Sequence, residues 1–112
     1  MHMEVTSKSI GETTIIYVDG DLTTNSSPVA EAEINQILEG TATNVVINVE
    51  KVNFIASTGL RIILVLGKRL KGDGLNLILC SMNETNKSVF KISGFLKLFP
   101  VFETEEEAIE SL

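Results

Sequence analysis

The amino-acid sequence predicts a single α/β domain, in which about four helices cover a mixed, mostly parallel sheet of four or five strands. Short β-branched runs alternate with longer segments whose apolar residues recur at helical spacing, in the order β-β-α-β-α-β-α-β-α. The chain has 112 residues, of which 44% are hydrophobic. That is enough for one core but too short for a catalytic domain plus a binding domain.

The first part of the chain supplies a hairpin and a helix. Residues 4–10 and 13–22 alternate in polarity or are rich in β-branched side chains, which predicts two strands joined by a tight turn. Residues 29–38 carry apolar side chains at helical spacing, with Ser27 as the N-cap and Pro28 at the first helical position. We therefore expect a first helix after a polar loop.

A strand and a long helix in the middle of the chain form its organising segment. Residues 45–49 are predicted to be a buried strand, and the helix opens within residues 56–60. A hydroxyl residue at such a start is the expected N-cap, because its oxygen accepts from backbone N–H groups that have no other partner. Ser57 and Thr58 are thereby placed at the sheet edge where open α/β folds carry functional groups.

The second part of the chain contains four further elements, namely a strand over 75–80, a helix over 84–93, an edge strand over 99–102 and a helix after Thr104. Ser81 or Asn83 can cap the helix over 84–93, and its predicted buried side consists of Val89, Phe90 and Ile92. The three glutamates after Thr104 match a capping box, which favours a solvated helix start over a metal site.

The central helix carries two apolar stripes. The sheet-facing stripe consists of Leu60, Ile63, Leu64, Gly67 and Leu70, and the opposite stripe consists of Ile62, Val65 and Leu66. Two interpretations of the second stripe stay open. Either a neighbouring helix covers it, or part of it remains exposed beside Ser57 as a docking surface.

Composition and charge argue against several function classes. The net charge of −6 predicts repulsion from phosphate backbones and anionic membranes, so we expect neither nucleic acid nor a membrane as a partner. The single cysteine, Cys80, lies in an apolar run and is expected to fill the core. The sequence shows no apolar run of about 20 residues and no signal peptide, which predicts a cytoplasmic location.

Catalysis, metal binding and cofactor binding are not expected. The only histidine, His2, lies in residues 1–3, which look like a start-site remnant, so the domain is expected to span 4–112. Ser57 has no accompanying base or nucleophile-elbow pattern. Gly67 lies inside a predicted helix rather than in a phosphate-binding loop. We therefore do not expect an enzyme.

Ser57 is the candidate for regulation by phosphorylation. A phosphate there would meet the first backbone N–H groups and the positive end of the helix dipole, so the fold would tolerate it. Its added charge of about −1.5 to −2 would be felt by a bound partner through repulsion and desolvation. The alternative is that Ser57 and Thr58 are helix caps and nothing more.

The segment VNFIASTGLR at 52–61 resembles the signature of the STAS domain family, as found in bacterial anti-sigma factor antagonists. The turn Gly20-Asp21-Leu22, the connector GDGL at 72–75 and the segment ISGF at 92–95 are similar to further landmarks of that family. The resemblance spans essentially the entire chain, and it implies the same order of strands and helices as the periodicity does.

The resemblance implies partner switching. Such an antagonist binds an anti-sigma factor, which is also a GHKL-type serine kinase, and so releases sigma factor for transcription. The kinase phosphorylates the signature serine, which corresponds to Ser57, with Thr58 as the less favoured acceptor, and a PPM-type phosphatase restores binding. The protein is expected to be a monomer or a weak dimer. If part of the second stripe of the central helix is exposed, the expected partner contacts are Asp21, Thr23, Ala56, Ser57, Thr58, Gly59, Arg61, Ile62 and Val65.

Two residues depart from the family pattern. Ala56 stands where many antagonists have an aspartate, and Thr23 stands where many have a second acidic residue. This surface is therefore less acidic, and recognition by a kinase is expected to be weaker. A different role in the same family, as a sensor, a scaffold component or a regulatory subunit of another signalling protein, would use the same surface without a sigma factor.

Overall fold

The computed structural model describes residues 2–112 and, over that range, contains one five-stranded sheet and four α-helices. The elements are β1 (Glu4–Ile10), β2 (Thr13–Asp19), α1 (Ser27–Leu38), β3 (Asn44–Lys51), α2 (Ser57–Gly72), β4 (Leu77–Cys80), α3 (Glu84–Ser93), β5 (Val101–Phe102) and α4 (Glu105–Glu110). A short 3-10 turn, Phe95–Lys97, links α3 to β5. The predicted fold class and element order are confirmed.

The strands lie side by side in the order β1-β2-β3-β4-β5. β1 is antiparallel to β2, and every other neighbouring pair is parallel. The carboxyl ends of β2, β3, β4 and β5 therefore meet at one edge of the sheet, and the chain passes from that edge into the four helices in turn. This carboxyl edge is where the topology collects the loops.

The two faces of the sheet bury cores of different size. Side chains alternate along each strand, so that Ile16 and Ile47 belong to the larger core cluster, to which α1, α2 and α3 also contribute. Their neighbours Ile15 and Val46 belong to a smaller cluster with Ala108 of α4. Cys80 is buried in the smaller cluster, and burial raises the pKa of its thiol to about 11, which confirms the expected core role.

Some predicted strand boundaries are wrong by a few residues. β2 ends at Asp19 rather than at residue 22, because Gly20 turns the chain with a φ of 127°, and Leu22 forms a single bridge with Ile55. A Cβ at Gly20 would lie 2.3 Å from the carbonyl oxygen of His2, so only glycine suits both the backbone and the contact. β4 and β5 each begin two residues later than predicted.

The helix starts and buried faces also differ in detail. α1 begins at Ser27, and Ser26 occupies the N-cap position, so the predicted cap is wrong by one residue. Of the two candidates at α3, Asn83 is the cap. Ile92, predicted to be buried, is 87% exposed, and Asn86 is fully buried on that helix instead. Within residues 2–112, none of the helices has the length and apolar character that a membrane crossing requires.

Candidate partner-binding site

Three segments at the carboxyl edge form a surface that we call the Ser57 rim, consisting of residues 20–27, 52–61 and 81–86. The segments follow β2, β3 and β4 respectively, and the parallel pairing of these strands brings their ends together. The described residues contain no group of three or more His, Cys, Asp or Glu side chains that could hold a metal ion. The chemistry of the rim therefore rests on hydroxyls, amides and a few charges.

Ser57 is the first residue of α2, and its side chain is exposed. The N-cap position is occupied by Ala56, and no side chain caps the helix. Ala56 holds this position because its backbone N–H donates to the Leu22 carbonyl at 2.8 Å, which keeps the residue extended. The prediction of a hydroxyl cap is therefore wrong, and the Ser57 oxygen is not occupied by capping.

The start of α2 is locally electropositive. The N–H groups of Gly59 and Leu60 both donate to the Ala56 carbonyl, whereas those of Ser57 and Thr58 have no carbonyl acceptor within residues 2–112. Unpaired first-turn N–H groups carry the positive end of the helix dipole. Arg61 is exposed and lies four residues beyond Ser57, which places it on the same face of the helix.

Thr58 is less accessible than Ser57. Its Oγ1 donates to the Oγ of Ser27 at 3.3 Å, and Ser27 is only 1% exposed. Thr58 itself is half-buried between the start of α2 and α1. A reagent that approaches from solvent thus reaches the Ser57 hydroxyl first.

Asp21 and Thr23 shape the rim by bonding to its backbone. The Asp21 carboxylate accepts from the N–H groups of Asn53 and Phe54 at 2.8 and 3.3 Å. Thr23 exchanges hydrogen bonds with Ser26, since the Thr23 N–H donates to the Ser26 Oγ and the Ser26 N–H donates to the Thr23 Oγ1. Both residues are half-buried, so their first effect is to fix the loop beside α2.

Gly59 is buried under the rim rather than displayed on it. A Cβ at this position would lie 2.8 Å from the Leu22 Cβ and 3.0 Å from the Ile55 Cγ2. Glycine thus permits α2 to approach the Leu22–Ile55 bridge closely. The place of Gly59 in the fold is explained by packing.

The second stripe of α2 is divided between core and surface. Ile62 and Leu66 are 6% and 5% exposed, and the narrow groove beside them is shared with Ile34 of α1, so a neighbouring helix covers them. Val65 is 50% exposed. Ile62 is therefore buried against α1 instead of lying open to a partner as expected, whereas Val65 is accessible to solvent.

Phe54 is an exposed residue of the rim that the sequence-based list of contacts omits. Its ring lies on the connector between β3 and α2, three residues before Ser57, and the residue is 48% exposed. Half-exposed aromatic side chains are common anchors of protein interfaces. The signal in the sequence was an aromatic residue inside the signature segment, between the apolar residues Val52 and Ile55.

A second polar cluster lies under α4. The Glu105 carboxylate accepts from the Asn48 Nδ2 at 3.1 Å and pairs with the Lys8 Nζ at 3.3 Å, and Tyr17 lies beside it. Burial alone would raise the pKa of Glu105, but the polar groups of Tyr17, Asn48 and Lys8 around the carboxylate outweigh it and lower the pKa below its usual value. This cluster joins three strands to α4.

Comparisons with known proteins give a consistent family. The model of the STAS domain matches residues 4–108. BtrV of Bordetella bronchiseptica, named as an anti-sigma factor antagonist, is 31% identical over 106 residues, which are 95% of this chain and 91% of that relative.

Two solved structures extend the likeness. The Bacillus cell fate determinant SpoIIAA in its phosphorylated form has a TM-score of 0.72 at 27% identity, covering 96% of this chain and 98% of that one. The Thermotoga maritima protein tm1081 has a TM-score of 0.88 at 18% identity, covering 96% and 92%, and it shows the fold alone.

Proposed function

We propose that this chain, which belongs to the STAS domain family, is an anti-sigma factor antagonist that binds its partner through the Ser57 rim. Relatives named as anti-sigma factor antagonists match it over at least 85% of both chains, which supports this function. The observation that carries the proposal is the exposed Ser57 hydroxyl at the start of α2, beside two N–H groups without a carbonyl acceptor in residues 2–112.

Phosphorylation of Ser57 is the proposed switch. The dipole of α2 and the N–H groups of Ser57 and Thr58 would stabilise a dianion there, so the fold would keep its stability. A docked partner would meet an added charge of about −1.5 to −2 at the contact and would be repelled. The likeness to SpoIIAA, which is known in a phosphorylated form, supports a switch of this kind.

The proposed partner is an anti-sigma factor of the GHKL serine-kinase type, with a PPM-type phosphatase that reverses the modification. Phe54 in the rim and Val65 further along α2 would supply half-exposed apolar contacts, and Arg61 would supply a charge. An interface with apolar anchors and few charges at its centre is the usual form of a specific, reversible contact. Binding through this surface would free the sigma factor.

Ala56 favours a second candidate function, that of a sensor or scaffold protein. Its methyl group adds no charge at the N-cap of α2, and the nearby Asp21 carboxylate is bonded to backbone N–H groups. A kinase that recognises an acidic residue beside the serine would act slowly on this rim. In a sensor or scaffold protein of the same family, the surface would bind a signalling partner without phosphate transfer.

The experiment combines the purified protein with the anti-sigma kinase of the same organism and ATP, and measures the mass of the intact chain. We expect an increment of one phosphate in the wild type and in Thr58→Val, and none in Ser57→Ala. Thr58→Val is the matched control because it removes the neighbouring hydroxyl and keeps the shape. An unmodified wild type that still binds the kinase would favour the scaffold function.

A further inference from the structure

The connector Val52–Ala56, which carries Ser57 into α2, has little regular secondary structure, yet its polar backbone groups are bonded on both sides. On one side, Leu22 donates from its N–H to the Phe54 carbonyl at 3.0 Å and accepts from the Ala56 N–H at 2.8 Å. The Asp21 carboxylate accepts from two further N–H groups there. The β2–α1 loop therefore holds one side of the connector.

The start of α3 holds the other side. The Asn86 Nδ2 donates to the Val52 carbonyl at 3.0 Å, and the Asn83 Nδ2 donates to the Asn53 carbonyl at 3.1 Å. Both bonds join residues at least 30 positions apart in the chain. Without the Asn86 amide, the carbonyl of the buried Val52 would lack this partner, which is costly in a protein interior.

Burial of the polar Asn86 side chain is unfavourable for the stability of the fold. It is fully buried, and its Oδ1 has no hydrogen-bond partner within residues 2–112. An apolar side chain of similar size would avoid the desolvation of that oxygen. Its one side-chain hydrogen bond, to the Val52 carbonyl, is thus what Asn86 provides and an apolar core residue would not.

Asn83 links this bond to the helix. Its Oδ1 caps α3 by accepting from the Asn86 N–H at 2.8 Å, while its Nδ2 reaches the connector. Ser81, just before it, has a φ of 63°, an uncommon value outside glycine that turns the chain from β4 towards the connector. The cap and the two connector bonds therefore form one unit.

We propose that Asn83 and Asn86 are positioning residues, which hold the connector from the α3 side and so set where Ser57 is presented. The effect on phosphorylation rests on the proposed function, but the effect on the connector does not. Removing a donor should loosen the segment between Val52 and α2 while the cap and core remain. The start of α3 would then control Ser57 through the backbone of the connector.

The test uses two variants at Asn83. Asn83→Asp and Asn83→Ser both keep an oxygen that can cap α3, and both lose the amide that bonds to the Asn53 carbonyl. Asn76→Asp is the matched control, because Asn76 lies at the opposite end of β4 and its amide also bonds to an asparagine, Asn44. The readouts are the thermal midpoint, amide hydrogen exchange and the rate of phosphate transfer to Ser57.

We expect exchange at the Ala56 and Gly59 N–H groups to rise about 3- to 10-fold in both Asn83 variants and not in Asn76→Asp, with thermal midpoints close to wild type. The kcat/KM for phosphate transfer should fall by a similar factor. Unchanged exchange, or a rise in the aspartate variant alone, would overturn the positioning role. Raised exchange with unaltered phosphate transfer would overturn its control of Ser57.

A wild-type protein that accepts no phosphate has a separate meaning. It would contradict the switch proposed above, and the exchange measurement would still support or overturn the hold of Asn83 on the connector. Asn86→Leu adds a second check, since it removes the bond to Val52 and also the unpaired buried oxygen. We expect it to raise exchange at the Ala56 N–H about 3- to 10-fold, and unchanged exchange in this variant would overturn the role of Asn86.

Discussion

The Ser57 rim and the polar cluster under α4 use similar side chains for different ends. In the rim, the Asp21 carboxylate accepts from backbone N–H groups, which fixes a loop and leaves the neighbouring Ser57 hydroxyl exposed. Under α4, the Glu105 carboxylate accepts from the side chains of Lys8 and Asn48, so these polar groups are paired with one another inside the protein. Changes in the rim should therefore affect binding, and changes under α4 should affect stability.

The largest effect is expected where a charge enters the core beside the rim. Ile62→Glu places a carboxylate at a position that is 6% exposed and should lower the free energy of unfolding by about 3–5 kcal/mol. Val65→Glu, three residues away and half exposed, should change stability by less than about 0.5 kcal/mol while weakening partner binding. Urea denaturation and a binding titration of both variants separate the two effects.

This pair also tests the boundary of the docking surface. Equal destabilisation by both substitutions would contradict the division of the stripe between core and surface. Wild-type partner binding by Val65→Glu would remove that residue from the docking surface and would confine the contact to the connector and the first turn of α2.

The next effect is expected under α4. Glu105→Ala removes the acceptor of the Asn48 amide and the partner of Lys8, so it should lower the free energy of unfolding by about 1–2 kcal/mol. Partner binding should stay within about twofold of wild type, since the rim is intact. Glu106→Ala, an exposed neighbour, is the control. If Glu105→Ala lost partner binding but kept the stability of the wild type, the cluster under α4 would serve binding and the proposed division would be wrong.

The contribution of the same cluster to stability should depend on pH. The pKa of Glu105 is lower in the folded chain than its usual value of 4.5, so its contribution to stability is present above that value and is lost as pH falls through the folded pKa. We therefore expect Glu105→Gln to flatten the fall in thermal midpoint below about pH 4.5. If wild type and variant lose stability in parallel, the hydrogen bonds of Glu105 do not favour its charged form.

The smallest effect concerns Arg61, which should interact with a phosphate on Ser57 across one helical turn. An i,i+4 pair is worth about 0.2–0.5 kcal/mol, so Arg61→Gln should move the phosphorus-31 titration midpoint of the phosphoserine up by about 0.3 pH units. Lys68→Gln, an exposed site at the other end of α2, should leave it unchanged. Equal shifts in the two variants would indicate an effect of net charge alone.

Much of the fold follows from local pattern, because the period of the apolar residues is a property of neighbouring positions. The start of α2 near Ser57 could be placed in this way. That Ala56 rather than a hydroxyl residue occupies the N-cap could not, since its extended conformation depends on a bond to Leu22, far away in the chain. That the Ser57 hydroxyl makes no capping bond is thus a tertiary effect.

The same limit applies to the buried faces. Ile62 and Val65 belong to one stripe by periodicity, and only the position of α1 decides which of them is covered. Hydrophobicity favoured Ile92 for the buried side of α3, but the core instead holds Asn86, whose amide bonds to the Val52 carbonyl 34 residues earlier. Pairings over such distances leave no trace in local spacing.

The most direct test compares the unmodified protein with the protein that carries phosphate on Ser57, in one titration against the anti-sigma partner and one calorimetric melt each. We predict that the phosphate weakens binding at least about 100-fold, about 2.7 kcal/mol, and moves the thermal midpoint by less than about 2 °C. Equal affinities of the two forms, or a phosphorylated form that unfolds many degrees lower, would contradict the account.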